Sequence, residues 1–227
     1  MRFWNVQSGE IFETCLKAME WDCSKPRILS FVGAGGKTTL IETLSREIAQ
    51  LGYRVVITTT THMQKPKQNC YEWSQMPDIR PGQVIYVGTE CGNGKIKAPE
   101  ELSFSMLKAR ADMILVEADG SKRKPLKVPA AHEPVIPKET EFVIGVLGYN
   151  SVGKRIEEIS HRASDVARFL HKKPEETVTI EDLVKISFDR EGLLKGVTCP
   201  YRIIWNRWKR EPMKIEQKHS LILCEEI

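Results

Sequence analysis

The stretch Gly33-Ala-Gly-Gly-Lys37-Thr38-Thr39 constrains this chain more than any other, because of what stands on either side of it. Before it runs the apolar, β-favouring segment Arg27-Ile-Leu-Ser-Phe-Val32. After it Leu40, Ile41, Leu44, Ile48 and Leu51 recur at helical spacing, which predicts an amphipathic helix over 37–51. Gly52 stands where a C-terminal capping glycine belongs. A glycine-rich turn between strand and helix lets backbone N–H groups approach an anion, and the helix N-terminus adds partial positive charge. Lys37 can then reach the β and γ phosphates of a nucleotide, and the Thr38 hydroxyl can ligate Mg²⁺. The predicted nucleotide contacts are therefore Gly33, Ala34, Gly35, Gly36, Lys37, Thr38 and Thr39. The turn is shorter than the GxxxxGK[ST] pattern, since Phe31 occupies the position five before Gly36. A literal GxxxxGK string does occur, at Gly148-Tyr-Asn-Ser-Val-Gly153-Lys154. There Arg155 replaces the metal-binding Ser or Thr, so that string is read as a turn.

The rest of the chain alternates β-rich runs with helical stretches, as a mainly parallel sheet covered by helices requires. Strands are predicted at 54–58, 113–117, 142–147, 201–205 and 221–224, and a helix at 99–110. Segments 84–87 and 95–97 flank Gly92-Asn93-Gly94 and predict a hairpin. The polar, proline-containing stretch 62–83 is expected to run over the surface, and Thr179-Ile-Glu-Asp182 has the form of a capping box. These elements predict an α/β, P-loop NTPase-like three-layer sandwich with a mainly parallel sheet, as one nucleotide-binding domain over 1–227.

The run Ile114-Leu-Val-Glu117-Ala-Asp119-Gly120 places acids at the end of an apolar strand, where a carboxylate can hold Mg²⁺. Glu117 is the predicted metal ligand beside Thr38, and Asp119 the group that positions water or an acceptor. The ExxG spacing of Glu117-Ala-Asp-Gly120 resembles a switch of metallochaperone-type GTPases, a resemblance that implies a γ-phosphate contact for the Gly120 N–H. Thr58-Thr-Thr-Thr61 ends another strand, where ligands gather in open α/β sheets, so Thr60 or Thr61 is expected near the metal or phosphate. Asn206 in Asn206-Arg-Trp-Lys209 suits base recognition, but Lys209 stands where a guanine-reading Asp would be. ATP and GTP both remain open.

With 227 residues, 41% hydrophobic and 28% charged, and no apolar run of membrane-spanning length, the expectation is a cytoplasmic protein with no membrane partner. The start Met-Arg-Phe-Trp-Asn, with Glu10 and Glu13 soon after, is unlike a secretory signal. A net charge of +4 is too mild to imply nucleic acid. Six cysteines without a CxxC pair are expected to be reduced thiols.

Three strings together carry a family resemblance: Phe31 to Thr39, Val56-Ile-Thr-Thr-Thr-Thr-His-Met63, and Val116-Glu-Ala-Asp-Gly-Ser-Lys-Arg-Lys-Pro-Leu-Lys127. Pro129-Ala-Ala-His-Glu-Pro134, His161-Arg162 and Gly192-Leu-Leu-Lys-Gly196 continue them in order. On these residues the chain resembles the YqeC family, regarded as accessory proteins of selenium-dependent hydroxylases. The short GxxGKTT turn is also similar to that of Mur-type ligases. The family resemblance implies a partner in a molybdenum hydroxylase or its cofactor, and nucleotide-dependent maturation of that enzyme. Lys122, Arg123, Lys127, His132 and Arg162 are the expected substrate-side residues. An Mg²⁺-dependent NTPase is the first expectation. A small-molecule phosphotransferase or ATP-dependent ligase, and a non-hydrolysing nucleotide-gated binding protein, are the alternatives.

Overall fold

A computed structural model describes residues 1–22, 27–209, 215 and 220–225. The chain opens with a hairpin, β1 (Arg2–Asn5) and β2 (Ile11–Phe12), and a short helix α1 (Cys15–Ala18). There follow β3 (Ile28–Gly33), α2 (Lys37–Gln50), β4 (Val55–Thr59), β5 (His62–Gln64), β6 (Cys70–Tyr71), β7 (Val84–Val87), β8 (Thr89–Glu90) and β9 (Lys95–Lys97). The middle holds α3 (Phe104–Arg110), β10 (Met113–Glu117), β11 (Leu126–Lys127), β12 (Phe142–Gly148), α4 (Ile156–Ile159), β13 (Ser160–His161) and α5 (Ala163–Leu170). Helix α6 (Ile180–Phe188) precedes β14 (Tyr201–Asn206) and β15 (Leu221–Glu225).

Ten strands form one sheet in the order β2-β1-β15-β14-β12-β3-β10-β4-β7-β6. Every pairing from β15 to β6 is parallel; only the N-terminal hairpin, added beside β15, runs antiparallel. The protein is thus a mixed α/β molecule built on a large, mostly parallel sheet. Strands buried on both faces read as near-continuous apolar runs, and β3 and β10 are buried throughout, with Ser30 and the strand-end Glu117 as their polar members. Alternate residues serve opposite faces. Leu29, Phe31, Leu115 and Ile144 pack with Leu40, Ile41, Leu44 and Ile48 of α2. On the other face Val143, Ile203 and Trp205 pack with Val166, Leu183 and Ile186 of α5 and α6. Ile28, Val56 and Ile114 pack with Leu107 of α3. Burying one such side chain contributes about 1.5–3 kcal/mol at most, so α2 depends on this packing together with its backbone hydrogen bonds to offset the entropy of ordering it.

The capping box forms as expected: the Thr179 hydroxyl accepts from Asp182 N and the Asp182 carboxylate from Thr179 N. Three expectations need correction. Segments 84–87 and 95–97 do not pair with each other; β7 joins the large sheet beside β4, while β9 pairs with β8 and β5 in a small separate sheet. The turn at 91–94 is real, but it closes the shorter β8–β9 hairpin. Residues 62–83 are not a plain surface excursion, since they supply β5 and β6 and bury Met63, Met76 and Ile79. The helix predicted from 99 starts only at Phe104. Cys15, Cys70, Cys91, Cys199 and Cys224 are unbridged, and Cys23 lies outside the described residues. Among the described residues no helix is long and apolar enough to cross a membrane.

Candidate functional site

Strands β3, β10 and β4 are neighbours in the centre of the sheet, and register aligns Glu117 with Phe31 on one side and Thr59 on the other. The glycine turn and the acid-bearing strand end therefore emerge together. The turn itself is tightly packed. Ala34 N donates to Val146 O and Gly35 N to Lys124 O. A Cβ on Gly35 would lie 2.3 Å from the Gly148 nitrogen, and one on Gly36 would lie 2.3 Å from Asn206 Nδ2. Both glycines also have positive φ, 79° and 117°, so the turn excludes side chains by conformation as well as by space. Leu193 fills the room beneath, where Gly33 and Gly145 lack side chains, which gives Gly192–Gly196 a packing role.

Gly36 is the N-cap of α2, and no side chain caps the helix or places an acid in its first turn. The first-turn N–H groups have no intrahelical acceptor, so they are donors available to an anion. Thr38 sits partly exposed in that turn, and Thr39 is exposed. The Thr38 hydroxyl donates to Glu117 Oε2 at 3.0 Å. Burial pushes the Glu117 carboxyl up; the Lys37 charge and the Thr38 hydroxyl pull it back, and Asp119 adds to the rise. A carboxylate that is costly to ionise in a dry site gains from any cation placed beside it.

Lys37 is buried, donating to Gly33 O at 2.6 Å and lying 3.0 Å from Asp119 Oδ1. Asp119 is fully buried and saturated: Gly33 N approaches both of its oxygens at 3.1 and 3.0 Å, and Lys127 Nζ lies 3.1 Å from Oδ2. Lys127, also fully buried, donates further to Gly120 O at 2.7 Å and Glu133 Oε2 at 2.8 Å. Arg162 closes the row with two bonds to Glu133, at 2.6 and 3.2 Å. The result is a continuous ladder of alternating charge, Lys37–Asp119–Lys127–Glu133–Arg162. Burial acts to raise the Glu133 pKa, but hydrogen bonds from Arg162 and Lys127 and the Lys127 charge bring it down to about 2.

Several predicted site residues have other engagements. Asp119 has no face left toward solvent, so it holds the two lysines and the turn instead of positioning water. Lys127 is interior and cannot meet a substrate from outside. Asn206 donates to Gly35 O at 3.0 Å and accepts from Arg207 N at 2.9 Å, which makes it a tether of the glycine turn. The Thr60 hydroxyl donates to Val135 O at 2.6 Å, while Thr59 donates to Glu117 O at 2.8 Å and steadies the strand end. Gly120 contributes its carbonyl to Lys127, and His132, Lys122 and Arg123 are exposed. Glu133 is the residue that sequence reasoning under-used; an acid six positions beyond a lysine has no periodic signature. Among the described residues no group of three His, Cys, Asp or Glu side chains is arranged to hold a metal. That is compatible with Mg²⁺, which commonly takes one or two protein oxygens together with phosphate and water.

The fold and site define a mostly parallel α/β protein with a glycine-rich turn and a buried charge ladder at the strand ends. A family profile described as YqeC protein matches residues 29–164, more than half of the chain. The uncharacterized protein YqeC of Escherichia coli (strain K12) is 34% identical over 210 residues, covering 87% of this chain and 82% of that protein. The chain belongs to the YqeC family. No solved structure matches it. The profile spans the glycine turn and all five residues of the ladder, but not Asn206.

Proposed function

We propose that this protein binds a nucleoside triphosphate with Mg²⁺ in a P-loop formed by residues 33–39, as a nucleotide-driven accessory factor. The observation that carries the reading is the Thr38–Glu117 pair, 3.0 Å apart beside the uncapped first turn of α2. A hydroxyl and a carboxylate in contact are the two protein oxygens that a phosphate-bound Mg²⁺ takes. Thr38 and Glu117 would hold the ion, which when bound neutralises charge on the phosphoryl oxygens. First-turn amides would hold the phosphates. Lys37 would exchange its contacts with Gly33 O and Asp119 for phosphate oxygens, a movement of a side chain with its carbon stem already in place. Asn206 and Lys124 keep the turn open at the required curvature through Gly35.

Titration calorimetry of ATP, GTP and CTP with Mg²⁺, beside Lys37→Ala, tests this directly. Micromolar binding of one nucleotide, lost in the variant, is the expected result; no binding of any nucleotide overturns it. The maturation of selenium-dependent molybdenum hydroxylases is the role that the family resemblance favours. Nucleotide-dependent capture of such an enzyme by the purified protein would test it.

One observation favours a second reading. The acid best placed to orient an attacking water, Asp119, is enclosed and fully engaged. A nucleotide-gated binding protein needs no such water. Product analysis separates the readings: release of free phosphate indicates an NTPase, acceptor-dependent turnover a phosphotransferase or ligase, and tight binding without turnover a gate.

A further inference from the structure

The outer end of the ladder, at Arg162, and the basic turn near it have no part in the nucleotide reading. Of the ladder's five groups three are cations and two are carboxylates, and Arg162 is partly exposed at the outer end. Beside it stands the turn Ser121–Lys124, closed by Lys124 N donating to Ser121 O. Its two central residues, Lys122 and Arg123, both have left-handed backbone, at φ 46° and 61°. Such turns ordinarily take Asn and Gly, which adopt that conformation with little strain. Long basic side chains there are held against local preference, and strain of this kind concentrates at functional sites. Neither side chain has an ion-pair partner among the described residues.

Two further facts bring these cations together. Strand β11 pairs with β13 so that Lys127 lies opposite His161, with Arg162 next in the chain. Burial first, then the charges of Arg162 and Lys127, push the His161 pKa down, with Glu133 opposing and Lys122 adding a smaller part, so Lys122 reaches the same place as Arg162 and Lys127. The turn is also anchored beside the glycine turn, through Lys124 O to Gly35 N, and to α4 through Lys124 Nζ to Glu158 O.

We propose that Lys122, Arg123 and Arg162 seat a second anion, the phosphate group of a co-substrate, beside the nucleotide phosphates and separate from them. This deepens the nucleotide reading by naming the class of second substrate. The ladder makes the two ligands oppose each other. An anion that draws Arg162 outward leaves Glu133 to Lys127; Lys127 then yields Asp119, and Asp119 holds Lys37 more firmly against its release to a phosphate. Linkage requires the same factor in both directions.

Inorganic phosphate is the probe. The nucleotide Kd is measured at rising phosphate in the wild type and in Lys122→Ala/Arg123→Ala, and phosphate is titrated directly into Lys37→Ala. Coupling between two sites predicts that the nucleotide Kd rises to a plateau. It also predicts that phosphate still binds Lys37→Ala, and that the double variant weakens phosphate about tenfold or more. A Kd that climbs without limit and ignores the double variant means that phosphate enters only the glycine turn, and the proposal fails. It also fails if nucleotide binds and phosphate has no effect. If no nucleotide binds, yet phosphate does so through Lys122 and Arg123, the nucleotide reading falls and the second site stands.

Discussion

Two glycine-lysine segments lie on adjacent parallel strands and touch each other, yet they are built for different purposes. At the end of β3, Gly33–Thr39 leads into the fourteen-residue helix α2, and its lysine is buried in an ion pair. At the end of β12, Gly148–Lys154 is the better match to the textual pattern, but a 3-10 turn lies within it, only the four-residue helix α4 follows, and Lys154 is exposed. Its Gly153 N and Lys154 carbonyl serve Val178 on a neighbouring segment. Gly148 itself is the floor against which Gly35 packs. On the proposed reading, the helix behind the turn and the burial of its lysine separate the two segments, where the spacing of their glycines does not.

The sharpest way to break the comparison is to remove each lysine. Lys37→Ala should weaken nucleotide binding on the order of 100-fold, while Lys154→Ala should stay within about twofold, as befits an exposed side chain. Equal losses in calorimetry would erase the distinction, and the reverse order would mean that the two segments have been assigned the wrong way round. Next in size are the glycines. Gly35→Ala drives a Cβ into the Gly148 backbone and should cost about 2–3 kcal/mol of unfolding free energy. Gly153→Ala meets nothing within 4 Å and should cost only its left-handed backbone, about 1 kcal/mol. Denaturant melts of both variants compare them directly. Glu117→Gln keeps the Thr38 contact but removes the charge, so Mg²⁺-dependent nucleotide affinity should fall about tenfold while metal-free affinity changes little. A variant as Mg²⁺-dependent as the wild type would leave Glu117 without a metal role.

A further expected effect is in pH. The Glu133 carboxyl titrates at about 2 in the folded protein against an ordinary value of 4.5. A depressed folded pKa contributes stability that is present above 4.5 and is lost as the pH falls from there through about 2. Acid melts of Glu133→Gln should lack that part of the slope. An unchanged slope would mean that Glu133 is not ionised in the ladder.

What could be read from the sequence follows from locality. The parallel strands around the glycine turn are continuous apolar runs, and the turn, Thr38 and Glu117 each sit at a recognisable strand or helix end. The hairpin between 84 and 97 went astray because adjacent β runs were expected to pair with each other. Instead, β7 is claimed by β4, whose buried face needs a neighbour. The strand β1 gave little signal, since it is four residues long and one of its two partners is more than two hundred residues away. Helix α5 is only eight residues long, with Val166, Ala167 and Leu170 as its buried side. The ladder was the least legible part. Lys127 and Arg162 look like surface charges in the sequence, and only the pairing of β11 with β13 turns them inward around Glu133.

The position of β15 bears on how the chain is made. Residues 221–225 are not at the rim of the sheet; they lie between β14 and the N-terminal strand β1. On a ribosome, Phe3 and Trp4 emerge long before Cys224 and Leu223, the residues that they oppose, and must wait for them. The segment 1–12 therefore has no sheet to join until translation has passed residue 225, whereas β3, β10 and β4 can assemble earlier. Domains generally fold as units during synthesis. Here the β3–β10–β4 centre could form well before the sheet is sealed, with β1 among the last strands to dock.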